Sequence, residues 1–372
     1  MAGIYIHIPF CKQACAYCDF HFSTNLKSKS DLVSAILKEI DTRKEYLIAE
    51  NIETIYFGGG TPSLLSPTEL SDILEKVHSV FNITSNAEIT LEGNPDDLSI
   101  HKLNELKQLG INRLSIGLQS FNDEELKWMN RAHSAHESIN SVKLAQDAGF
   151  KNITIDLIYG SKFQDLSSWQ KTLETALLLN VQHISAYNLT IEAKTKLGVN
   201  HSHKTEPAIN EELSAQQFVV MIETLKKNNF IHYEISNFGK EGCFSKHNTN
   251  YWLGSDYLGL GPSAHSFNGT SRQWNVASNA GYMSAVNLNK PYYEIELLGE
   301  KEKHNEYILT RLRTMWGCDI NEIQLLFGLQ HANNFTQTAK KYIQFFEDET
   351  SVYKLNLEGK LRADFLASEF FV

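Results

Sequence analysis

The first half of the chain alternates short apolar runs rich in β-branched residues with amphipathic stretches of helical length. The apolar runs are residues 3–10, 53–60, 87–95, 112–120, 151–160 and 183–191. Parallel strands need long crossover connections, which are usually helices, so this alternation predicts six βα units around a parallel sheet. The pattern is compatible with an open doubly wound sheet and with an incomplete barrel. In both architectures function gathers at the carboxyl ends of the strands.

The pattern changes in the second half of the chain. From about Lys240 the sequence is rich in Gly, Ser, Asn and aromatic residues without a clear period, which predicts a long structured loop. Helical patterns return after about Gly299. A chain of 372 residues is long for one ordinary domain. We therefore predict a core in residues 1–235, a connecting segment in residues 236–295, and a smaller, mostly helical domain in residues 296–372, with a winged helix as one candidate form.

Charge and cysteine content exclude several classes of function. The formal net charge of −10 repels phosphate backbones, which makes nucleic acid a poor partner. No apolar run approaches the about 18–20 residues that span a bilayer, and the first residues lack the features of a signal peptide, so we expect a cytoplasmic protein. Five cysteines do not suggest a disulfide scaffold in a chain of this length. Two of them, Cys243 and Cys318, stand alone and are expected to be small core residues.

The other three cysteines, Cys11, Cys15 and Cys18, lie in the stretch HIPFCKQACAYCDFHF, directly after the first predicted strand. On one loop they can face a single metal centre. A structural zinc site would need a fourth ligand, which His7 or His21 would supply. An iron–sulfur cube with three cysteines would instead leave one iron free for an exchangeable ligand. The spacing points to a metal centre at this loop and leaves both alternatives open.

Further polar residues follow the other predicted strands. Gly58–Gly60 with Thr61 and Pro62 end the second strand, where consecutive glycines allow close approach of a ligand and Thr61-Pro62 opens the next helix. Four polar residues at or just beyond strand ends are Glu92, Gln119, Arg131 and Asp156. Carboxylates accept hydrogen bonds from hydroxyl groups, and an arginine pairs with a carboxylate. These residues therefore predict a polar ligand at the same rim as the cysteines.

The CxxxCxxC spacing, with an aromatic residue two positions after the last cysteine, resembles the radical S-adenosylmethionine superfamily. In that superfamily the open iron of a 4Fe-4S cluster chelates the amino and carboxylate groups of S-adenosylmethionine, and one electron cleaves the sulfonium to a deoxyadenosyl radical. The motifs IYIHIPFC, GGGTPSLL, EGNPDDL, RLSIGLQSF, NRAHSA and DLIYG resemble, in order, the oxygen-independent coproporphyrinogen oxidases and the related radical SAM haem chaperones. The resemblance extends from residue 3 to about residue 270.

The resemblance implies a fold and a set of cofactor-binding residues. It implies a radical SAM α/β core, a partial (βα)6 TIM-like barrel, with the three cysteines as ligands of the cluster. The residues that it implies as S-adenosylmethionine contacts are Tyr5, Gly59, Gly60, Thr61, Glu92, Gln119, Arg131, Asp156 and Thr190. The sequence departs from the family pattern at Ser161-Lys162-Phe163, where the family commonly has Leu-Pro. This departure affects the expected shape of the loop and not the expected chemistry.

Three features separate the haem chaperones from the oxidases. Oxidases of this family tend to carry a fourth cysteine at the position of Phe20, and an N-terminal extension before the first strand, which here begins at about residue 3. The stretch HNTNYW matches the HNxxYW motif of the chaperones. Imidazole is a common axial ligand of haem iron, and flat aromatic rings stack on a macrocycle. The resulting haem candidates are His247, Asn248, Tyr251 and Trp252, with His265 as a rival to His247.

Three functional hypotheses follow. The leading one is a haem carrier that uses a 4Fe-4S cluster and S-adenosylmethionine and delivers haem to an acceptor protein. A membrane-bound respiratory enzyme, reached by peripheral docking, is one candidate acceptor. The second is an oxygen-independent oxidase that decarboxylates coproporphyrinogen III in porphyrin biosynthesis, so enzymatic activity stays open. The third is a zinc-stabilised scaffold without redox chemistry.

Overall fold

One large sheet organises the chain in the computed structural model, which describes residues 2–47, 49, 51–347 and 351–372. Within these residues, twelve strands join in the order β12-β11-β10-β9-β1-β2-β3-β4-β5-β6-β8-β7. These strands are β1 (Ala2–Ile8), β2 (Ile52–Gly59), β3 (Ile83–Gly93), β4 (Arg113–Gln119), β5 (Ile153–Tyr159), β6 (His183–Asn188), β7 (Ile231–Glu234), β8 (Asn237–Gly239), β9 (Asp256–Leu260), β10 (His265–Phe267), β11 (Ser271–Asn275) and β12 (Tyr293–Leu297).

The six predicted βα units are confirmed. Strands β1 to β6 are parallel, and each pairs with the next along the chain. The α-helices of the first half are α1 (Lys29–Thr42), α2 (Pro67–Val80), α3 (Ile100–Gln108), α4 (Asp123–Trp128), α5 (Ala135–Asp147), α6 (Leu166–Leu178), α7 (Lys196–Ser202) and α8 (Glu211–Lys227). Helices α1 to α6 connect the parallel strands, which is the arrangement expected of a partial barrel.

Local sequence signals explain where these helices begin. Ser66 and Glu69 form a capping box at α2, and Ser134 with Glu137 forms one at α5. The sequence suggested that Thr61-Pro62 opens an α-helix, and this expectation is wrong. The pair opens a short 3-10 helix, Pro62–Leu64, and α2 follows after its own cap.

The predicted loop after Lys240 is wrong. This segment contains helix α9 (Lys246–Trp252) and strands β9 and β10. Strand β9 pairs in parallel with β1, and β10, β11 and β12 extend the sheet antiparallel from there. Elements of three to seven residues are too short to show a periodic pattern, which is why the sequence suggested a loop. The domain boundaries near residues 235 and 295 stay predictions.

The C-terminal part is mostly helical and has its own apolar core. Its helices are α10 (Asn279–Asn287), α11 (Glu300–Leu312), α12 (Ile320–Phe327), α13 (Leu329–Lys341), α14 (Leu357–Lys360) and α15 (Ala363–Glu369), and a two-stranded ribbon joins β13 (Cys318–Asp319) to β14 (Val352–Tyr353). Helix α10 packs on α1 beside the sheet, and the helices from α11 onward surround a second core that includes Ile308, Ile323 and Phe335.

The two isolated cysteines differ in burial. Cys318 is buried in the second core, as expected, whereas Cys243 is only half-buried, so its expected place in the core is wrong. In the part of the chain that the structure describes, no helix has the length and apolar character needed to cross a membrane.

Candidate cofactor site and adjoining cavity

The loop after β1 presents the three clustered cysteines from a fixed backbone. Cys11 N–H donates to the carbonyl of Ser23 (3.1 Å), and Ser23 N–H donates to the carbonyl of Pro9 (2.8 Å), which ties the two ends of the loop together. In the middle of the loop, Ala16 N–H donates to the carbonyl of Met129 (2.9 Å). The three thiols are half-buried and are not in disulfides. The loop therefore offers three free thiols at the carboxyl end of β1.

Gly59 and Gly60, at the end of β2, let the chain pack closely on this loop. A Cβ atom on Gly60 would lie 2.7 Å from the backbone nitrogen of Phe10, and one on Gly59 would lie 2.5 Å from the ring of His7. Gly59 also has a positive φ of 107°. No side chain fits at these distances, so glycine is required at both positions. The glycines make room for the cysteine loop itself, a role that the sequence did not reveal.

Two side chains direct hydrogen-bond donors at cysteine sulfurs. Arg131 Nη1 lies 3.3 Å from Cys15 Sγ, and Thr61 Oγ1 lies 3.5 Å from Cys11 Sγ. Asn94 links the two, because its Oδ1 accepts from Arg131 Nη2 (2.6 Å) and its Nδ2 donates to Thr61 Oγ1 (3.1 Å). Donors at a sulfur favour the thiolate, which is the form that binds metals.

The arrangement suits a cluster better than a single ion. Among the described residues, no three His, Cys, Asp or Glu side chains are grouped so that they could hold one metal ion. Both ring nitrogens of His7 are engaged, Nδ1 with the Tyr5 hydroxyl (3.1 Å) and Nε2 with the carbonyl of His21 (3.0 Å), so His7 is not free to complete a zinc site. Cysteines that bind separate irons of a cube need not converge on one point. In addition, Arg131 Nε is buried without a partner in the described structure, so a donor is left for a ligand.

Two carboxyl groups stand near the carboxyl ends of β3 and β5. Glu92 Oε1 accepts from the Tyr56 hydroxyl (2.8 Å), and its Oε2 accepts from Gly59 N–H (3.3 Å). Burial, together with the charge of Asp156, raises the pKa of Glu92 to about 7. Burial also raises the pKa of Asp156 to about 6, although Ser115 donates to it. The site thus holds two carboxyl groups whose ionised forms would be stabilised by a cationic or hydrogen-bond-donating ligand.

The remaining predicted contacts divide into two groups. Tyr5 lies on β1 with its ring 6.1 Å from that of Tyr56, and Gln119 ends β4 with a positive φ of 67° beside Arg131. These residues belong to the same rim as Glu92. Thr190, by contrast, is exposed beyond β6, and none of the hydrogen bonds in the described structure joins it to the others.

Helix α9 buries His247 and presents Tyr251 and Trp252 to a cavity. His247 is buried, with Nδ1 bonded to Thr54 Oγ1 (2.7 Å) and Nε2 bonded to the Tyr251 hydroxyl (2.7 Å). Burial lowers the pKa of His247 to about 3, so the ring is neutral. Asn248 lies in the first helical turn, where its backbone N–H donates to Ser245 Oγ (3.4 Å). As placed, His247 has no free nitrogen for a metal.

The cavity has a volume of about 760 Å³ and adjoins the cysteine loop. Strand β1, helices α9 and α11, strands β9 to β12 and the C-terminus contribute to its walls. The aromatic residues that line it include Tyr5, Phe20, Tyr251, Trp252, Tyr257 and Phe267. Phe20 is 74% exposed, and Trp252 Nε1 is buried without a partner in the described structure. An apolar wall with an unpaired donor is typical of a site for a flat organic ligand.

Charged and imidazole groups complete the cavity. His7, His21 and His265 line it, and Arg272 on β11 forms an ion pair with Glu306 on α11. The other charged residues of the wall are Glu296 and Glu302. Sequence reasoning missed Asn94, Arg272 and the glutamates. Asn94 follows Glu92 in EGNP and carried a local signal, whereas the cavity glutamates lie too far along the chain from the cysteines to form a motif with them.

The chain is similar to known proteins over almost its whole length. The model of the Radical SAM superfamily matches residues 5–176. The chain is 32% identical over 368 residues to the heme chaperone HemW of Bacillus subtilis, covering 97% of each chain. It is 36% identical over 268 residues to the heme chaperone HemW of Escherichia coli, covering 71% of this chain and 69% of that one.

A solved structure shares the fold. The coproporphyrinogen III oxidase HemN of Escherichia coli, described as a radical SAM enzyme, superposes with a TM-score of 0.85 at 21% identity. The match covers 100% of this chain and 90% of that one, so it includes the cysteine loop, the sheet and the helical C-terminal part.

Proposed function

Because the chain belongs to the radical SAM superfamily and, within it, to the family of the heme chaperone HemW, we propose that it carries haem in the cavity beside the cysteine loop and delivers it to an acceptor protein. The superfamily brings a 4Fe-4S cluster and S-adenosylmethionine as cofactors. Cys11, Cys15 and Cys18 would hold the cluster. A cube held by three thiolates keeps one iron for S-adenosylmethionine and supplies an electron to it.

The polar rim around the cysteines would bind S-adenosylmethionine. Arg131 would pair with the carboxylate of its methionine part, because a guanidinium recognises carboxylates through paired donors. Glu92 and Asp156 would accept from the ribose hydroxyls. Because they have no side chains, Gly59 and Gly60 would let the amino end, which donates hydrogen bonds, come close to the backbone at the end of β2. In this proposal the ligand supplies the polar contacts that the half-buried carboxyl groups lack.

The main support for haem binding is the cavity. Its aromatic walls offer stacking surfaces to a porphyrin, and its volume of about 760 Å³ lies within the range of small-molecule sites. Tyr5 belongs both to the cavity and to the rim of the cofactor site, so a haem in the cavity would lie next to S-adenosylmethionine. Such contact offers a way for the cofactors to influence haem retention without any chemistry on the porphyrin.

The charges of the cavity wall favour haem over coproporphyrinogen, the substrate of the alternative oxidase. Coproporphyrinogen carries twice as many propionates as haem. The wall contains Glu296, Glu302 and Glu306 against Arg272, and Arg272 is already paired with Glu306. Like charges repel, although solvent weakens the repulsion from the exposed Glu296 and Glu302. A ligand with more carboxylates would therefore bind less well, which supports the carrier reading.

An anaerobic haem titration of the cluster-reconstituted protein tests the proposal. We expect a saturable Soret change at one haem per chain, and we expect the Trp252→Ala variant to bind haem more weakly because it loses an aromatic wall and a donor. Trp128→Ala is the matched control, since Trp128 is also half-buried but does not line the cavity. It should bind haem like the wild type.

Two outcomes would overturn the proposal. If the wild type shows no saturable haem binding, the carrier function is wrong. If the protein, S-adenosylmethionine and a reductant convert coproporphyrinogen III to a vinyl product, the oxidase is the better description. Transfer of bound haem to an apo-haem protein, followed by absorbance, then measures delivery.

A further inference from the structure

His265 differs from the other histidines at the cavity. It lies at the start of β10, exposed to the cavity, and makes no hydrogen bond or ion pair within the described structure. Both nitrogens of His7 and both nitrogens of His247 are occupied by protein partners. His21 uses Nε2 in a bond to Asn279 Oδ1 (2.7 Å). Only His265, among these four described side chains, keeps both nitrogens available.

We infer that His265 supplies the imidazole that binds the iron of haem in the cavity, an inference that rests on the proposed carrier function. Haem iron takes a neutral imidazole as a common axial ligand. Partial burial lowers the pKa of His265, and the nearby charge of Arg272 lowers it further, which keeps the lone pair available. The role of His247 is then indirect: its bond to the Tyr251 hydroxyl fixes the position of an aromatic ring that lines the cavity.

The turn that carries His265 is held in a constrained conformation. Gly261 and Ser263 have positive φ values of 92° and 63°, and the second is unusual for a residue with a side chain. A Cβ on Gly259 would lie 2.0 Å from the carbonyl oxygen of His265, so the two strands approach as closely as glycine permits. Asn275 N–H donates to the Ala264 carbonyl (2.9 Å). These contacts fix the direction from which His265 enters the cavity.

A buried carboxyl group on α1 anchors the same turn. Glu39 on α1 accepts from Gly261 N–H (2.8 Å), from Asn275 Nδ2 (2.8 Å) and from the Tyr282 hydroxyl (2.5 Å). Asn275 Nδ2 also donates to the carbonyl of Gly261 (2.8 Å). Burying a carboxyl group is costly, and the donors that offset this cost for Glu39 also hold the turn in place. We assign Glu39 as a positioning residue that acts through His265.

The test uses absorbance and electron paramagnetic resonance spectra of the protein loaded with ferric haem. His265→Ala should lose the signature of imidazole ligation and should raise the haem dissociation constant at least about tenfold, since even the loss of a hydrogen-bond partner of a metal ligand costs about that much. Free imidazole added to His265→Ala should restore the spectrum. His101→Ala, at an exposed position away from the cavity, is the control and should match the wild type.

The assignment is overturned if His265→Ala keeps the wild-type spectrum, or if His21→Ala is the variant that loses imidazole ligation. Either result leaves the carrier function intact, because the wild type still binds haem. If the wild type itself binds no haem, the proposed function fails instead. The two failures are thus distinguishable in one set of titrations.

The role of Glu39 has its own measurement. Glu39→Gln should raise the haem dissociation constant in the wild-type background by about tenfold and should broaden the imidazole signature. In the His265→Ala background the same substitution should leave the dissociation constant unchanged, because Glu39 acts only through His265. Equal effects in both backgrounds would show a merely structural role and would overturn the assignment.

Discussion

Glu92 is a residue whose charge the folded chain tolerates poorly in the absence of a ligand. It is surrounded by Tyr56, Gly59 and the charge of Asp156, and no cationic side chain pairs with it directly in the described structure. Removing a carboxylate from water without a cation is unfavourable. A role in ligand binding explains this buried carboxyl group better than a role in stability, because a polar ligand would supply the hydrogen-bond donors that Glu92 lacks.

Glu92→Gln is therefore expected to change the pH dependence of stability. The folded pKa of about 7 exceeds the ordinary value of 4.5, so between these values the folded state binds more protons than the unfolded state. Stability consequently falls as pH rises through this window, and ionisation of Glu92 destabilises the wild type above it. At pH 8 the cluster-free variant should be more stable by about 3 kcal/mol, with little difference below pH 4.5.

Urea unfolding of the cluster-free protein at several pH values measures this effect. Glu241→Gln, at an exposed carboxyl group in a loop, is the matched control and should keep the wild-type slope. A Glu92→Gln variant whose stability follows that of the wild type at every pH would contradict the prediction. The same variant should bind S-adenosylmethionine more weakly, since the proposed hydroxyl acceptor loses its charge.

At the scale of elements, the turn after β2 and the loop after β1 depend on each other. Gly60 N–H donates to the carbonyl of Ile8 (2.9 Å), and its missing side chain is where the backbone of Phe10 passes. The cysteines begin at the next residue. The position of the thiols is thus set by a contact between two loops and not by the cysteine loop alone.

Gly60→Ala should displace the cysteine loop. The new Cβ would meet backbone atoms of Phe10 and Ile8 at 2.7–2.8 Å, and backbone cannot move aside as a side-chain end can. We expect a loss of about 1–3 kcal/mol in the free energy of unfolding and a lower iron and sulfide content after reconstitution. Gly281→Ala, whose Cβ would meet only the side chain of Ser278, should reconstitute normally. Equal iron content in the two variants would contradict this account.

The elements also show how far sequence reasoning reached. The six parallel strands were predictable, because each long βα unit repeats the same pattern and places polar residues at one edge. The proximity of Arg131 and Thr61 to the cysteines was predictable, because all of them follow strands that end at that edge. The orientation of His247 was not predictable, since a seven-residue helix gives too few positions to tell its buried face from its exposed face. The cavity wall was also hidden, because distant segments build it.

At the scale of the whole molecule, the cavity lies between the sheet and the helical C-terminal part. Polar contacts join the two: Ile235 N–H donates to the carbonyl of Arg313 (3.1 Å), and Arg313 also forms an ion pair with Glu234. Across the cavity, Arg272 pairs with Glu306. The cofactor site, in contrast, is built by the parallel strands and the segments that follow them. Haem binding should therefore depend on both parts, and cofactor binding on the parallel strands and their loops.

Leu309→Trp tests whether the haem site and the cofactor site are separate. Leu309 lines the cavity from α11, so an indole there should fill space that haem needs and raise the haem dissociation constant at least about tenfold, as expected for the loss of about 1.4 kcal/mol or more. Cluster content and S-adenosylmethionine binding, measured by iron analysis and equilibrium dialysis, should stay at wild-type values. Leu329→Trp is the matched control, because Leu329 is exposed on α13 and does not line the cavity. Unchanged haem affinity in Leu309→Trp would place haem elsewhere, and a parallel loss of S-adenosylmethionine binding would show that the two sites are one.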